Sequence, residues 1–192
     1  YSEWSRSNAG GVMRILSLPC STGEEPYTMA MALLDAGVPP NRFRVDAVDI
    51  SERSVALAQA AVYGKNSFRG DDLGYRERYF EPIDTRLWKL RPEVTRQVEF
   101  QTGNIFDADF LHGAGCFNTI FCRNVLIYFD RPMQDRAVGV LQRLLTPSGF
   151  LFVGPSETGL LLSHDFDPAR LPLAFAFRQA GVMPRAASTP VT

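Results

Sequence analysis

From Met13 onward the chain alternates between short β-like runs bounded by turn residues and stretches with helical spacing. That alternation constrains the fold more than any other feature. Strands separated by helices join in parallel, because a crossover long enough to hold a helix carries the chain back to the same end of the sheet. The spacing predicts a first strand over residues 14–19, the turn Cys20-Ser-Thr-Gly23, and a helix with Tyr27, Ala30, Met31 and Leu34 on one face. Ser21 and Thr22 stand three residues before Glu24 and Glu25, a capping-box pattern, and Pro26 suits a first turn, where its missing N–H costs nothing. Gly37 and Pro39-Pro40 end that helix. A second strand is expected over 43–50, with Ser51 capping an Ala-rich helix that runs to about Tyr63. Further strands are expected at 98–101, 117–122, 150–153 and 173–178. Asp130 caps a helix over 132–145, which Pro147-Ser-Gly149 terminates. The expected architecture is α/β: a mostly parallel sheet with helices on both faces.

Two segments break the rhythm. Residues 1–12 are polar and contain a Gly pair, which reads as a linker or lead-in to a domain over 13–180. Residues 64–97 give no clean helix-then-strand unit. They read as a polar loop, a short helix around 75–80 and β-like residues at 86–91, a small subdomain inserted at the C-terminal edge of the sheet, where open α/β folds bind ligands. Residues 181–192 are expected to be a flexible tail. At 192 residues the chain can bury one α/β core but not two domains of ordinary size. It begins at Tyr1 without a methionine, so it is expected to be a piece of something longer.

The charge balance excludes some function classes. Twenty Lys and Arg against 21 Asp and Glu leave a net charge of −1, which provides no basic stripe for a nucleic-acid backbone. The mild cluster between Arg86 and Arg96 reads as a solvated face. Cys20, Cys116 and Cys122 have no disulfide-framework spacing, and His112 and His164 lie far apart, so no metal site is expected. No run approaches a membrane span and no signal peptide is visible; the expected location is cytoplasmic.

A strand, a glycine turn and a helix suggest a nucleotide site at a helix N-terminus, although the GxGxxG fingerprint is absent. The walls of the turn say more. Glu24 and Glu25 open the helix, and no Lys or Arg lies between Cys20 and Gly37. A phosphate there faces two carboxylates, at a cost on the order of a few kcal/mol for each opposed pair. A ligand bearing an ammonium and a sulfonium is attracted instead, which favours S-adenosylmethionine over NAD or ATP. The bland alternative is that both acids only complement the helix dipole; it weighs more for Glu25 than for Glu24. Asp49, at the end of the second strand, suits the two ribose hydroxyls, with a helix cap as the plainer reading. Asn104 ends the third strand, where its amide can read adenine between Ile105 and Phe106, or simply make a turn.

Taken together these pieces resemble the CheR-type chemotaxis receptor methyltransferase family over roughly residues 14–157. The resemblance rests on Cys20-Ser-Thr-Gly-Glu-Glu-Pro-Tyr27, Asp49-Ile-Ser51, Arg78-Tyr-Phe80, Val98-Glu-Phe100 leading to Asn104-Ile105, Phe121-Cys-Arg-Asn-Val-Leu-Ile-Tyr-Phe129, and Pro155-Ser-Glu157. It implies a Rossmann-like class I fold and transfer of a methyl group from S-adenosylmethionine to glutamate side chains on the cytoplasmic helical region of a chemoreceptor-type protein. By the same resemblance Glu24 holds the methionine ammonium and Asp49 the ribose. Asn104 and Ile105 hold adenine, Arg123 and Asn124 line the pocket beside the methyl group, and Tyr128 lies near the acceptor. For Arg123 the competing reading is a structural ion pair; for Tyr128 it is packing.

The chain departs from the family pattern twice. The helical N-terminal domain with its Asn-x-Thr-x-Phe-Phe-Arg motif is missing. The insertion also lacks the Gly-rich turn that pairs with a receptor's tethering pentapeptide in some members: residues 79–86 hold no glycine, and Pro82 cannot donate to a strand ladder, so no tether is expected. Two rival functions stand beside this reading. One is a methyltransferase for a small molecule or RNA, although the Asn/Asp-Pro-Pro-Tyr/Phe turn of many amine-methylating enzymes is replaced here by Cys122-Arg-Asn-Val. The other is a non-catalytic module that binds S-adenosylmethionine or S-adenosylhomocysteine.

Overall fold

A computed structural model describes residues 1–70 and 73–181; most of the expected tail therefore lies outside the described residues. In chain order the elements are α1 (Ser2–Ser7), β1 (Met13–Ser17), α2 (Glu24–Asp35), β2 (Phe43–Asp49), α3 (Glu52–Ala60), β3 (Val62–Gly64), α4 (Gly74–Tyr79), β4 (Phe80–Pro82), β5 (Leu87–Leu90), α5 (Pro92–Thr95), β6 (Val98–Thr102), β7 (Phe117–Cys122), α6 (Arg131–Leu144), β8 (Leu145–Val153), α7 (Thr158–Leu162), β9 (Phe166–Pro168) and β10 (Ala176–Gln179). Seven strands form the main sheet in the order β6-β2-β1-β7-β8-β10-β9. The five strands from β6 to β8 run parallel, whereas β10 is antiparallel to both β8 and β9. The chain leaves β1 toward β2 and β6, then returns to lay β7 on the other side of β1. That reversal opens a crevice at the C-terminal ends of β1 and β7.

The strand period of two sorts the core residues. In β1, Ile15 faces the cluster built on Tyr27, Ala30 and Met31 of α2, while its neighbour Leu16 faces the cluster built on Ala137, Val138, Leu141 and Leu144 of α6. Helices thus cover both faces. Asp130 caps α6 by accepting from Met133 N at 3.0 Å, and Ser51 caps α3 by accepting from Ser54 N at 3.2 Å, both as the sequence indicates.

Several expectations are corrected. Residues 1–12 are more than a lead-in: α1 packs Trp4 against the α2-side core, and Arg42 ties the segment down by donating to Gly11 O (2.7 Å) and Asn8 O (3.2 Å). The helix expected to reach Tyr63 stops at Ala60, because Ala61 turns left-handed (φ 52°) and Val62 enters a strand. Pro147-Ser-Gly149 does not separate α6 from the next strand. β8 runs from Leu145 and absorbs these residues as an irregularity, pairing Leu145 with Phe117 but Phe150 with Thr119. The insertion forms a separate antiparallel sheet, β3-β5-β4, in which Pro82 pairs opposite Trp88 on an edge strand.

Candidate active site

A cleft of about 1860 Å³ opens at the β1/β7 crevice and is lined there by Thr22, Glu24, Glu25, Ser67, Arg123 and Asn124. It is larger than a single small-ligand site because it continues along the sheet to Phe121, Phe150 and Phe152. The turn after β1 sets its shape. Gly23 has φ 93°, and a Cβ built on it lies 2.8 Å from Tyr63 Oη and 2.9 Å from Ala58 Cβ, so both conformation and space require glycine. Gly23 is also the N-cap of α2, without a side-chain cap bond, which overturns the capping-box reading. The Thr22 hydroxyl donates to Glu24 Oε2 instead (2.6 Å).

Glu24 is held over the cleft from two sides, since Ser67 of the insertion donates to its Oε1 at 3.0 Å. Tyr63, on the β3 strand that pairs with the insertion's β5, donates to Thr22 O at 2.8 Å. The subdomain is thereby fastened to the turn, and neither contact is legible in the spacing of the sequence. Glu25 turns inward as well: Ser17 donates to its Oε1 (2.9 Å) and Arg123 Nη1 to its Oε2 (3.1 Å). The expectation that Glu25 only complements the helix dipole is therefore incomplete. Arg123 forms the ion pair weighed against its catalytic role, yet its side chain stays 46% exposed at the cleft.

Asp49 is 6% exposed, accepting from Ser21 N (2.8 Å) and Ser51 N (2.9 Å), and so joins the turns after β1 and β2. Each of its oxygens keeps a second lone pair. Asn104 makes an Asx turn by accepting from Phe106 N (3.0 Å), and Ile105 is buried with Val48 and Phe110 in the α6-side core. Tyr128 is 80% exposed on a short 3₁₀ turn. The structure thus brings Glu24, Arg123 and Asn124 to one cleft and reaches Asp49 through Ser21. Asn104, Ile105 and Tyr128 are not among its described lining residues.

One residue matters more than its motif suggests. Glu157 is 2% exposed and accepts four backbone N–H bonds: from Asn124 (3.0 Å), Val125 (2.9 Å), Leu126 (2.8 Å) and Gly154 (2.7 Å). It anchors the loop that carries Arg123 and Asn124, and Asn124 itself sits at φ 60°. The only sign of this in the sequence is an acid just beyond a strand end.

Buried acids of another kind give a pH dependence. Burial, reinforced by the charge of Asp49, pushes the Cys20 thiol from 9.0 to about 12, and burial raises Cys122 as well. Tyr27 and Tyr63 are raised by burial, and Tyr79 reaches about 12 through burial and its hydrogen bond to Asp35. These groups stay protonated in the fold at pH values where the unfolded chain ionises. The stability these groups contribute is therefore fully present well below pH 9, declines as pH rises past the unfolded thiol and phenol values of 9.0 and 10.0, and keeps declining to about pH 12. The expected loss between pH 7 and pH 10 is roughly 4 kcal/mol. Urea midpoints at the two pH values measure it, and a flat profile would contradict these burial effects.

The donor set fits a cationic ligand. Carboxylates and hydroxyls dominate the turn, and the Arg123 guanidinium beside it is already shared with Glu25; Arg69 and Arg178 also line the cleft. Among the described residues no group of three or more His, Cys, Asp or Glu could hold a metal, and no helix is long and apolar enough to cross a membrane. The chain is 51% identical over 178 residues to a Pseudomonas aeruginosa protein named "Probable biofilm formation methyltransferase WspC", covering 93% of this chain and 42% of that one. It is 36% identical to the chemotaxis protein methyltransferase of Salmonella typhimurium, over 81% of this chain and 55% of that one. The chain therefore spans about half the length of these relatives. Among solved structures it is similar to PKMT2 from Rickettsia typhi in complex with AdoHcy, at a TM-score of 0.48 and 18% identity over 80% of this chain and 25% of that one. The family model "CheR methyltransferase, SAM binding domain" matches residues 2–172, and with the acidic turn, the strand order and these relatives it shows that the chain belongs to the S-adenosylmethionine-binding domain of the CheR methyltransferase family.

Proposed function

We propose that this chain carries the catalytic site for methyl esterification of glutamate side chains on the cytoplasmic helical region of a chemoreceptor-type protein, and that it works in the cytoplasm. The observation that carries the reading is the Glu24 carboxylate, held at the crevice by Thr22 and Ser67 where a methionine ammonium would sit. The cosubstrate supplies an electrophilic methyl group: an acceptor carboxylate oxygen bonds to it, the C–S bond breaks with its electron pair left on sulfur, and no proton moves. The protein's task is therefore binding and alignment rather than acid–base chemistry. Glu24 takes the ammonium and Asp49 accepts from the ribose hydroxyls with its remaining lone pairs. Asn104 and Ile105, just past the Thr102 that pairs with Asp49, are assigned the adenine side, although neither is among the cleft's described lining residues. Arg123 and Asn124 border the methyl group, with Arg123 steering the incoming carboxylate by a charge-assisted bond. Tyr128, exposed beyond the loop, meets the acceptor protein. We expect no pentapeptide tether: β4 is only three residues long, its Pro82 offers no N–H to an added strand, and Asp84 closes the following turn by accepting from Arg86 N and Leu87 N.

Calorimetry with S-adenosylhomocysteine tests the cofactor assignment. Glu24→Gln should weaken binding about 10- to 100-fold, the worth of one charged hydrogen bond, whereas a receptor C-terminal peptide should give no saturable heat. Unchanged affinity in Glu24→Gln would remove Glu24 from the site, and saturable peptide binding would restore the tether. Transfer of labelled methyl to receptor fragments, compared with RNA and small acids, then decides the acceptor class.

A further inference from the structure

We propose that Glu25 is a positioning residue for this transfer: it fixes the Arg123 guanidinium at the mouth of the cleft and shares its charge, so that Arg123 aligns an acceptor carboxylate without gripping it. The inference rests on the preceding reading that the acceptor is a carboxylate. A glutamate serving only the helix dipole would point into solvent. Glu25 instead has its side chain 25% exposed and both oxygens engaged, one by Ser17 at the end of β1 and one by Arg123 just after β7. Ser17 is fully buried, so Glu25 hangs from a rigid point in the sheet. It spans the two paired strands at whose C-terminal ends the crevice opens.

The chemistry gives this link a purpose. A guanidinium has five N–H donors, and the contact with Glu25 engages Nη1, leaving the rest of a fixed planar fork to meet a second carboxylate. An unshared Arg123 would bind that acceptor most strongly in the ground state, while its oxygens carry full negative charge. The interaction would then weaken as the ester forms, and such binding lowers KM at the expense of kcat. Sharing the cation with Glu25 weakens the grip and holds the geometry.

The test is steady-state methylation of a receptor fragment by the intact encoded protein, comparing wild type, Glu25→Gln, Arg123→Gln and the double variant. Glutamine keeps a partner for Ser17 but gives up the charge. Glu25→Gln should lower kcat about tenfold and lower the acceptor KM about threefold, with a steeper salt dependence of KM and an S-adenosylhomocysteine Kd within about twofold of wild type. In the Arg123→Gln background the same change should move kcat/KM by less than about twofold. Unchanged kcat, a raised KM, or an equal effect with and without Arg123 would each overturn the proposal. Should Glu25→Gln not fold, Ser17→Ala, which loosens Glu25 but keeps both charges, should lower kcat about threefold; no change would overturn it. A wild-type protein that esterifies no receptor carboxylate would end the functional reading itself. An active wild type with unaffected variants would end this inference alone.

Discussion

Glu157→Ala should cost about 4 kcal/mol or more, most of the stability of a domain at the low end of the usual range. Four backbone N–H groups point at this one carboxylate, three of them from the loop after β7 and one from Gly154 at the end of β8. An unsatisfied buried donor costs about 1–3 kcal/mol, and bonds to a charged acceptor stand at the upper end of that range. Water entering the cavity would recover part of this, which is why the sum over four donors is not taken at face value. Against a total stability of about 5–15 kcal/mol the remainder is still severe. Glu157→Gln separates charge from shape: its amide oxygen can serve Val125 and Leu126, but its NH₂ then faces the N–H groups of Asn124 and Gly154, so roughly 2–3 kcal/mol should be lost. Urea midpoints measure both variants. A Glu157→Ala protein within about 1 kcal/mol of wild type would show that the loop carrying Arg123 and Asn124 is held by something else.

The parallel sheet was legible because burial imposes periods that the sequence displays, such as Ile15 and Leu16 facing opposite cores and the α6 face of Ala137, Val138, Leu141 and Leu144. Caps at Ser51 and Asp130 were legible for a similar reason, since each acts within three residues. What stayed hidden depends on distant partners. Thr22 looks like a cap until the left-handed Gly23 redirects its hydroxyl to Glu24. Ser67 and Tyr63 reach the site across more than 40 residues, and Glu157 finds three of its donors more than 30 residues back. Glu25 showed its acidity in sequence but not its direction, because two consecutive helix-start glutamates differ only in where the fold offers them partners: the turn and the insertion for Glu24, the strand ends for Glu25.

Gly23→Ala should lose about 3 kcal/mol of stability and at least about tenfold in affinity for S-adenosylhomocysteine, the second through the first. The backbone term comes from φ 93°, a conformation that costs a residue with a Cβ roughly 1–2 kcal/mol. The steric term is specific: the added methyl meets Tyr63 Oη at 2.8 Å, and the other contacts, Ala58 Cβ at 2.9 Å and Ala58 Cα at 3.3 Å, belong to a packed helix that cannot swing away. The easiest relief is to push Tyr63 aside. That breaks its bond to Thr22 O and loosens the insertion, which also holds Ser67 against Glu24. Cofactor binding therefore suffers although Gly23 itself offers no side chain to the ligand. Tyr63→Phe separates the two terms. Alone it should cost about 1 kcal/mol for the lost hydrogen bond. Combined with Gly23→Ala it should cost less than the sum by about 1 kcal/mol, because the atom the new methyl strikes is gone, while the φ penalty persists. Strictly additive losses would mean that the strain lies in the backbone and against α3, and that the subdomain is not the element displaced.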